Sequence, residues 1–166
     1  MKISLVLNGK NVEALISDDR LLIDFLRDHG CLSVKRGCES SNCGLCTVFM
    51  DDKPVLSCSV LAARADGHRI DTLEGLQKEA EEFGAFIADQ GAEQCGFCNP
   101  GMVMNAIAMF RENPDPTDDE IVHRPRLSRQ KRHGVLLTDP LIYILHDAPP
   151  LFLYSINARI PRSCPS

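Results

Sequence analysis

Residues 3 to 16, "ISLVLNGKNVEALI", alternate. Ile3, Leu5 and Leu7 fall on one side of an extended segment, Asn8-Gly9 interrupts it, and Val12, Ala14 and Ile16 resume the period of two. That pattern predicts a β-hairpin closed by a type I′ turn. In "SDDRLLIDFLRDHG" the period becomes helical: Leu22, Ile23, Phe25 and Leu26 line a face, Ser17, Asp18 and Asp19 are candidate caps, and Gly30 is a stop. After a cysteine-rich loop, "TVFM", the turn "DDKP" and "VLSCSV" read as a second hairpin. A short strand near "HRI" and a helical turn after Thr72 close the unit.

From Glu79 to Gly91 the apolar spacing is helical again, with Phe83, Phe86 and Ile87 on one face and Gly91 as the stop. Asn99-Pro100 reads as an N-cap followed by proline at the first helical position. The segment it opens, "GMVMNAIAMF", is apolar nearly all round and predicts a buried helix in which Met102, Met104 and Met109 are core residues. "ENPDP" ends that helix, and Thr117 with Glu120 forms the capping box of another.

Past Ile121 the chain changes character. Residues 1 to 121 hold 11 Lys+Arg and 21 Asp+Glu, whereas residues 122 to 166 hold 7 and 2, together with six of the ten prolines and one of the eleven glycines. Pro125, within "VHRPRLSRQKRHG", is expected to break the helix that the capping box starts. The basic run in this tail is too short to specify a partner.

With 166 residues, 44% of them hydrophobic, the chain can form one ordinary domain or two small ones. A net charge of -5 provides no basic footprint for nucleic acid. The N-terminus lacks the apolar core of a signal peptide, and no run approaches the roughly 20 apolar residues of a membrane span. A cytoplasmic protein without a membrane or nucleic-acid partner is expected.

Eight cysteines in such a chain point to ligation, because reducing compartments do not keep structural disulfides. Cys31, beside Leu32, reads as a small core residue, and His68, His123, His133 and His146 show no metal-binding pairing. "CESSNCGLC" with the later "LSC" places Cys38, Cys43, Cys46 and Cys58 as three ligands on one tight loop and a fourth returning from the next hairpin. This is how a plant-type [2Fe-2S] cluster is held. Gly37 and Gly44 leave room for backbone N–H groups to approach the sulfurs. Four cysteines also suit zinc, although zinc usually takes two short pairs. Cys95 and Cys98, in "EQCGFCNPGM", form a further pair at metal-ligand spacing ahead of the buried helix.

"GCESSNCGLCTV", "LSCS", "TLEGL", "QCGFCNPGM" and "NPDPT" together resemble the small iron–sulfur subunit of the molybdenum hydroxylases, the group of xanthine dehydrogenase, aldehyde oxidoreductase and carbon monoxide dehydrogenase. The resemblance runs over residues 3 to 121. It implies an α+β chain: a β-grasp ferredoxin-like domain over residues 1–78 with one [2Fe-2S] cluster on Cys38, Cys43, Cys46 and Cys58, then the first half of a four-helix-bundle-like domain over 79–121. Residues 122–166 stand apart as an atypical tail of uncertain order.

The resemblance further implies that Cys95 and Cys98 are the first two ligands of a second cluster and that Gln94 lies beside the molybdopterin of a partner. Asn99 stands where the family more often has threonine. The remaining two ligands of that cluster fall, by the family pattern, on Gln130 and Arg132, and neither can replace a thiolate. Three explanations are open: a tail altered near residue 121 by frameshift, rearrangement or error; divergence to a single-cluster protein; or rescue by Cys164, which still leaves one ligand missing. The implied role is electron relay from a molybdopterin-binding large subunit to an FAD-binding subunit, with no substrate site on this chain. A free-standing single-cluster carrier and a zinc-stabilised interaction module are the alternatives.

Overall fold

The computed structural model of the protein describes residues 1–89, 91 and 95–123. Gln94, and Pro125, Gln130, Arg132 and Cys164 with the rest of the tail after residue 123, lie outside the described residues.

The expected hairpin forms. Strand β1 (Lys2–Leu7) pairs antiparallel with β2 (Lys10–Leu15). Asn8 and Gly9 between them take φ of 49° and 78°, the paired positive values of a type I′ turn. A second hairpin, β3 (Thr47–Met50) and β4 (Lys53–Leu56), turns the same way at Asp51-Asp52. Strand β5 (Arg69–Asp71) lies between the hairpins, parallel to β1 and antiparallel to β3. The resulting five-stranded sheet has the order β2-β1-β5-β3-β4. Helix α1 (Leu22–Asp28) packs Leu22, Ile23, Phe25 and Leu26 against Ile3, Leu5, Leu7, Val48 and Ile70 in a single apolar cluster. This is the β-grasp arrangement. Cys31 is in that core, 3% exposed, as expected.

The other face of the sheet carries the helical half, built from α2 (Gln77–Asp89), α3 (Asn99–Glu112) and α4 (Asp118–His123). Its core gathers Phe83, Ile87, Ile107, Phe110 and Ile121, and Phe49 of β3 belongs to this cluster. Strand β3 is therefore buried on both faces, with Val48 in one core and Phe49 in the other. Every residue from Gly101 to Phe110 is buried, including the three methionines expected there. The capping box also forms: Glu120 accepts from the Thr117 N–H at 2.8 Å, and the Thr117 hydroxyl lies 3.4 Å from the Glu120 N–H. No helix among the described residues is long and apolar enough to cross a membrane.

Local expectations fail where tertiary contacts take over. Helix α1 begins at Leu22 behind Leu21, which makes no side-chain cap, and Ser17, Asp18 and Asp19 stay outside. The orphan N–H of Leu22 is instead met by the Val60 carbonyl at 2.8 Å, beside a bridge between Leu21 and Leu61. Asp18 accepts from the N-terminal ammonium. "VLSCSV" is strand only as far as Leu56; Ser57–Ser59 form a 3-10 turn, which places Cys58 off the sheet. Helix α2 starts at Gln77 rather than Glu79, because the 3-10 turn Leu73–Gly75 leads straight into it. At α3 the cap is Cys98, not Asn99, which is already helical and donates its N–H to the Gly96 carbonyl at 3.2 Å.

Candidate metal centre

The loop from Gly37 to Cys46 wraps its sulfurs in backbone donors. Cys38 Sγ accepts from the N–H groups of Asn42 at 3.3 Å and Cys43 at 3.4 Å, and also from that of Ser40. Cys43 accepts from the N–H groups of Gly37 and Leu45, and Cys46 from that of Cys58. The close wrap explains Gly37, where a Cβ would collide with Leu45 Cδ1 and lie 3.3 Å from Cys43 Sγ. Cys58 arrives on its 3-10 turn with Sγ 3.2 Å from Cys46 Sγ. That turn is fixed by Ser57, whose N–H and hydroxyl donate to the Cys46 carbonyl at 3.1 and 2.7 Å.

The four thiols thus divide into two pairs. Cys43 donates to Cys38, and Cys46 donates to Cys58. Among the described residues no three His, Cys, Asp or Glu side chains converge on one ion position. Ionisation follows the pairing. At Cys38, burial opposes the thiolate, but the donors from Asn42 and Cys43 outweigh it and draw the pKa down to about 6. Its partner Cys43 is pushed up, first by burial. Burial likewise pushes Cys46 up to about 12, whereas at Cys58 the hydroxyls of Ser41 and Ser59 and the Cys46 thiol overcome burial and lower it. In each pair one thiol ionises more readily than its partner, Cys38 before Cys43 and Cys58 before Cys46, and metal binding releases the protons that remain.

This donor set fits a [2Fe-2S] cluster. Two irons need two thiolates each, and the pairs Cys38–Cys43 and Cys46–Cys58 divide that way. Thiolate charge is met by N–H groups that no side chain has to reorient.

Cys95 and Cys98 stand differently. Cys95 is exposed and Cys98 half-buried at the start of α3. The two motifs nevertheless touch: Lys35, ahead of the first loop, lies over the Phe97 ring at 4.8 Å and donates its N–H to the Leu45 carbonyl at 3.2 Å. Sequence reasoning missed this contact, and the spacing holds no signal for it. It also missed Asn105, the polar residue inside the buried run of α3, although an isolated amide in so apolar a helix was a legible sign of a specific partner.

Two family models match the chain. Residues 5–81 match a "2Fe-2S iron-sulfur cluster binding domain", and residues 72–128 match a "[2Fe-2S] binding domain". The chain is 43% identical over 122 residues to the nicotinate dehydrogenase small FeS subunit of Eubacterium barkeri, covering 72% of this chain and 78% of that protein. It is 39% identical over 120 residues to a probable xanthine dehydrogenase subunit of Bacillus subtilis, covering 70% and 69%. The crystal structure of quinoline 2-oxidoreductase from Pseudomonas putida 86 superposes with a TM-score of 0.78 at 30% identity, covering 96% of this chain and 97% of that one.

Proposed function

Because the chain belongs to the small iron–sulfur subunits of the molybdenum hydroxylase family, an electron-transfer component of multi-subunit oxidoreductases, we propose that Cys38, Cys43, Cys46 and Cys58 hold its [2Fe-2S] cluster and relay electrons from a molybdopterin-binding large subunit toward an FAD-binding subunit. Such a cluster supplies one-electron transfer at a potential set by burial and by hydrogen bonds to sulfur. The chain's own part is to position the four sulfurs, stabilise their negative charge through backbone N–H groups, and keep Cys43 and Cys46 out of water. The observation that carries the reading is a loop whose N–H groups close on Cys38 Sγ while Cys58 Sγ is brought to 3.2 Å from Cys46 Sγ. It favours a two-iron centre over a mononuclear zinc site, which asks for four ligands on one ion.

The remaining assignments belong to the same proposal. The two apolar clusters support a β-grasp unit over residues 1–78 and a helical unit over 79–121, with residues 122–166 as a separate tail. Cys95 and Cys98 are half of a second ligand set, and Gln94 is the residue facing the partner's molybdopterin. The reducing chemistry of free thiols suits the cytoplasm. Co-expression with a candidate molybdenum-containing subunit and its flavin-containing partner tests the relay. The three are expected to co-purify, with the chain's reduced signal appearing on substrate addition. A chain that purifies alone, fully loaded, under the same conditions supports a free-standing carrier instead.

A further inference from the structure

Asn105 is 4% exposed within the apolar run of α3, and its amide is not spent on its own helix alone. Nδ2 donates to the Gly101 carbonyl at 2.6 Å and reaches across to the first cysteine loop, 3.2 Å from the Gly44 carbonyl and 3.3 Å from Thr47 Oγ1. The same Gly44 carbonyl accepts from Thr47 Oγ1 at 2.8 Å and from the Thr47 N–H at 3.2 Å. Three donors therefore converge on one carbonyl between Cys43 and Cys46. The other end of that peptide is the Leu45 N–H, and it points at the Cys43 sulfur.

The peptide links these two facts. In a trans peptide the C=O and N–H point in opposite directions, so a carbonyl held on one side aims the N–H to the other; every described peptide is trans. Gly44, at φ of 78°, supplies the left-handed conformation that turns the unit this way. Helix α3 comes close enough because residue 101 is glycine: a Cβ there would lie 2.7 Å from Leu45 Cα and 3.2 Å from the Gly44 oxygen.

We propose that Asn105 is a positioning residue for the first cluster: by holding the Gly44 carbonyl it fixes the Leu45 N–H on the Cys43 sulfur and so raises the reduction potential, from a helix that starts in the second cysteine motif. The inference rests on the reading of Cys43 as a cluster ligand. Its electrostatics are simple. Reduction adds one electron's charge to the centre, a hydrogen bond to sulfur stabilises the more negative state, and a misaimed N–H stabilises it less. Asn105 thereby links the potential of one motif to the packing of the other.

The test is a redox titration of the full chain, loaded anaerobically and followed by visible absorption and paramagnetic resonance. Asn105→Leu keeps the volume and removes the donor; Thr47→Val removes the hydroxyl from the same carbonyl. Each is expected to load iron and sulfide as the unsubstituted chain does, to alter the line shape of the reduced signal, and to lower the reduced-to-oxidised ratio at fixed poise by up to about tenfold, a downward shift of about 59 mV for one electron. Thr47→Ser, which keeps the hydroxyl, should restore the original value.

Loaded Asn105→Leu and Thr47→Val with unchanged potential and line shape overturn the proposal. Should Asn105→Leu fail to load, Thr47→Val decides it by the same two outcomes. Cys43→Ser separates the premise from the inference. A signal that survives Cys43→Ser refutes the ligand reading itself, whereas a signal lost there with unmoved potentials in the other two variants refutes only the role of Asn105.

Discussion

The two cysteine motifs of this chain share a residue type and little else. In the first, four thiols lie in two pairs, two of them buried, with backbone N–H groups already turned toward the sulfurs. In the second, two thiols sit at the mouth of a helix, one exposed and one half-buried. A loop whose peptide groups are oriented before any metal arrives has met much of the ordering cost of the bound state. Among the described residues no third ligand joins Cys95 and Cys98 in the second. Cysteine spacing marks both places as ligand candidates, and what distinguishes them is the backbone around the sulfur.

The strongest way to break this contrast is to remove one cysteine from each motif. Cys43→Ser is expected to abolish the visible absorption and the reduced paramagnetic signal, with iron falling from about two per chain toward none. Cys95→Ser should leave all three unchanged. Equal losses in both variants would erase the distinction between a built site and a half-site.

Next in size is the division between the two apolar cores. Phe25 and Phe83 are both essentially unexposed, and truncation to alanine should cost about 3–5 kcal/mol in either. The consequences should differ. Phe25→Ala is expected to lose cluster absorption together with the fold, while Phe83→Ala should lose helical circular dichroism at lower denaturant than cluster absorption. Coincident transitions in both variants would mean that Phe49, shared across the sheet, fuses the two cores into one cooperative unit.

A smaller effect sharpens the contact between the motifs. Gly101→Ala forces a Cβ against the backbone of Leu45, and neither the loop nor the helix can yield freely. The expected cost is about 1–3 kcal/mol in denaturant unfolding, with a lower rate of cluster loading. Loading at the original rate would show that the loop tolerates displacement of α3. Smallest is Thr117→Ala, which removes the hydroxyl half of the capping box at a cost of about 1 kcal/mol, read as a modest fall in the midpoint of the helical transition.

How much of this was legible depended on whether the cause was local. Asn8-Gly9 between alternating segments specifies its turn within a few residues, and Thr117 with Glu120 specifies its cap in the same way. The run from Gly101 to Phe110 announces burial by composition alone. The start of α1 was not legible, because its first N–H is satisfied by Val60 from a distant segment rather than by Ser17 or Asp19. Cys58 was readable as a candidate ligand, but its place on a 3-10 turn was not, since Ser57 fixes that turn through the Cys46 carbonyl. Spacing likewise grouped four cysteines without dividing them, and the division into pairs arises only when the second hairpin brings Cys58 back to Cys46. Asn105 was missed in the sequence, and its partners at Gly44 and Thr47 required the fold.

The proposal gives the chain one [2Fe-2S] cluster, on Cys38, Cys43, Cys46 and Cys58, with Cys95 and Cys98 as half of another. Iron and acid-labile sulfide, counted on the full chain after anaerobic reconstitution, with paramagnetic resonance to count reduced centres, test it most directly. About two irons, about two sulfides and a single reduced signal are expected. About four irons with two distinct signals, or zinc without sulfide, would contradict it.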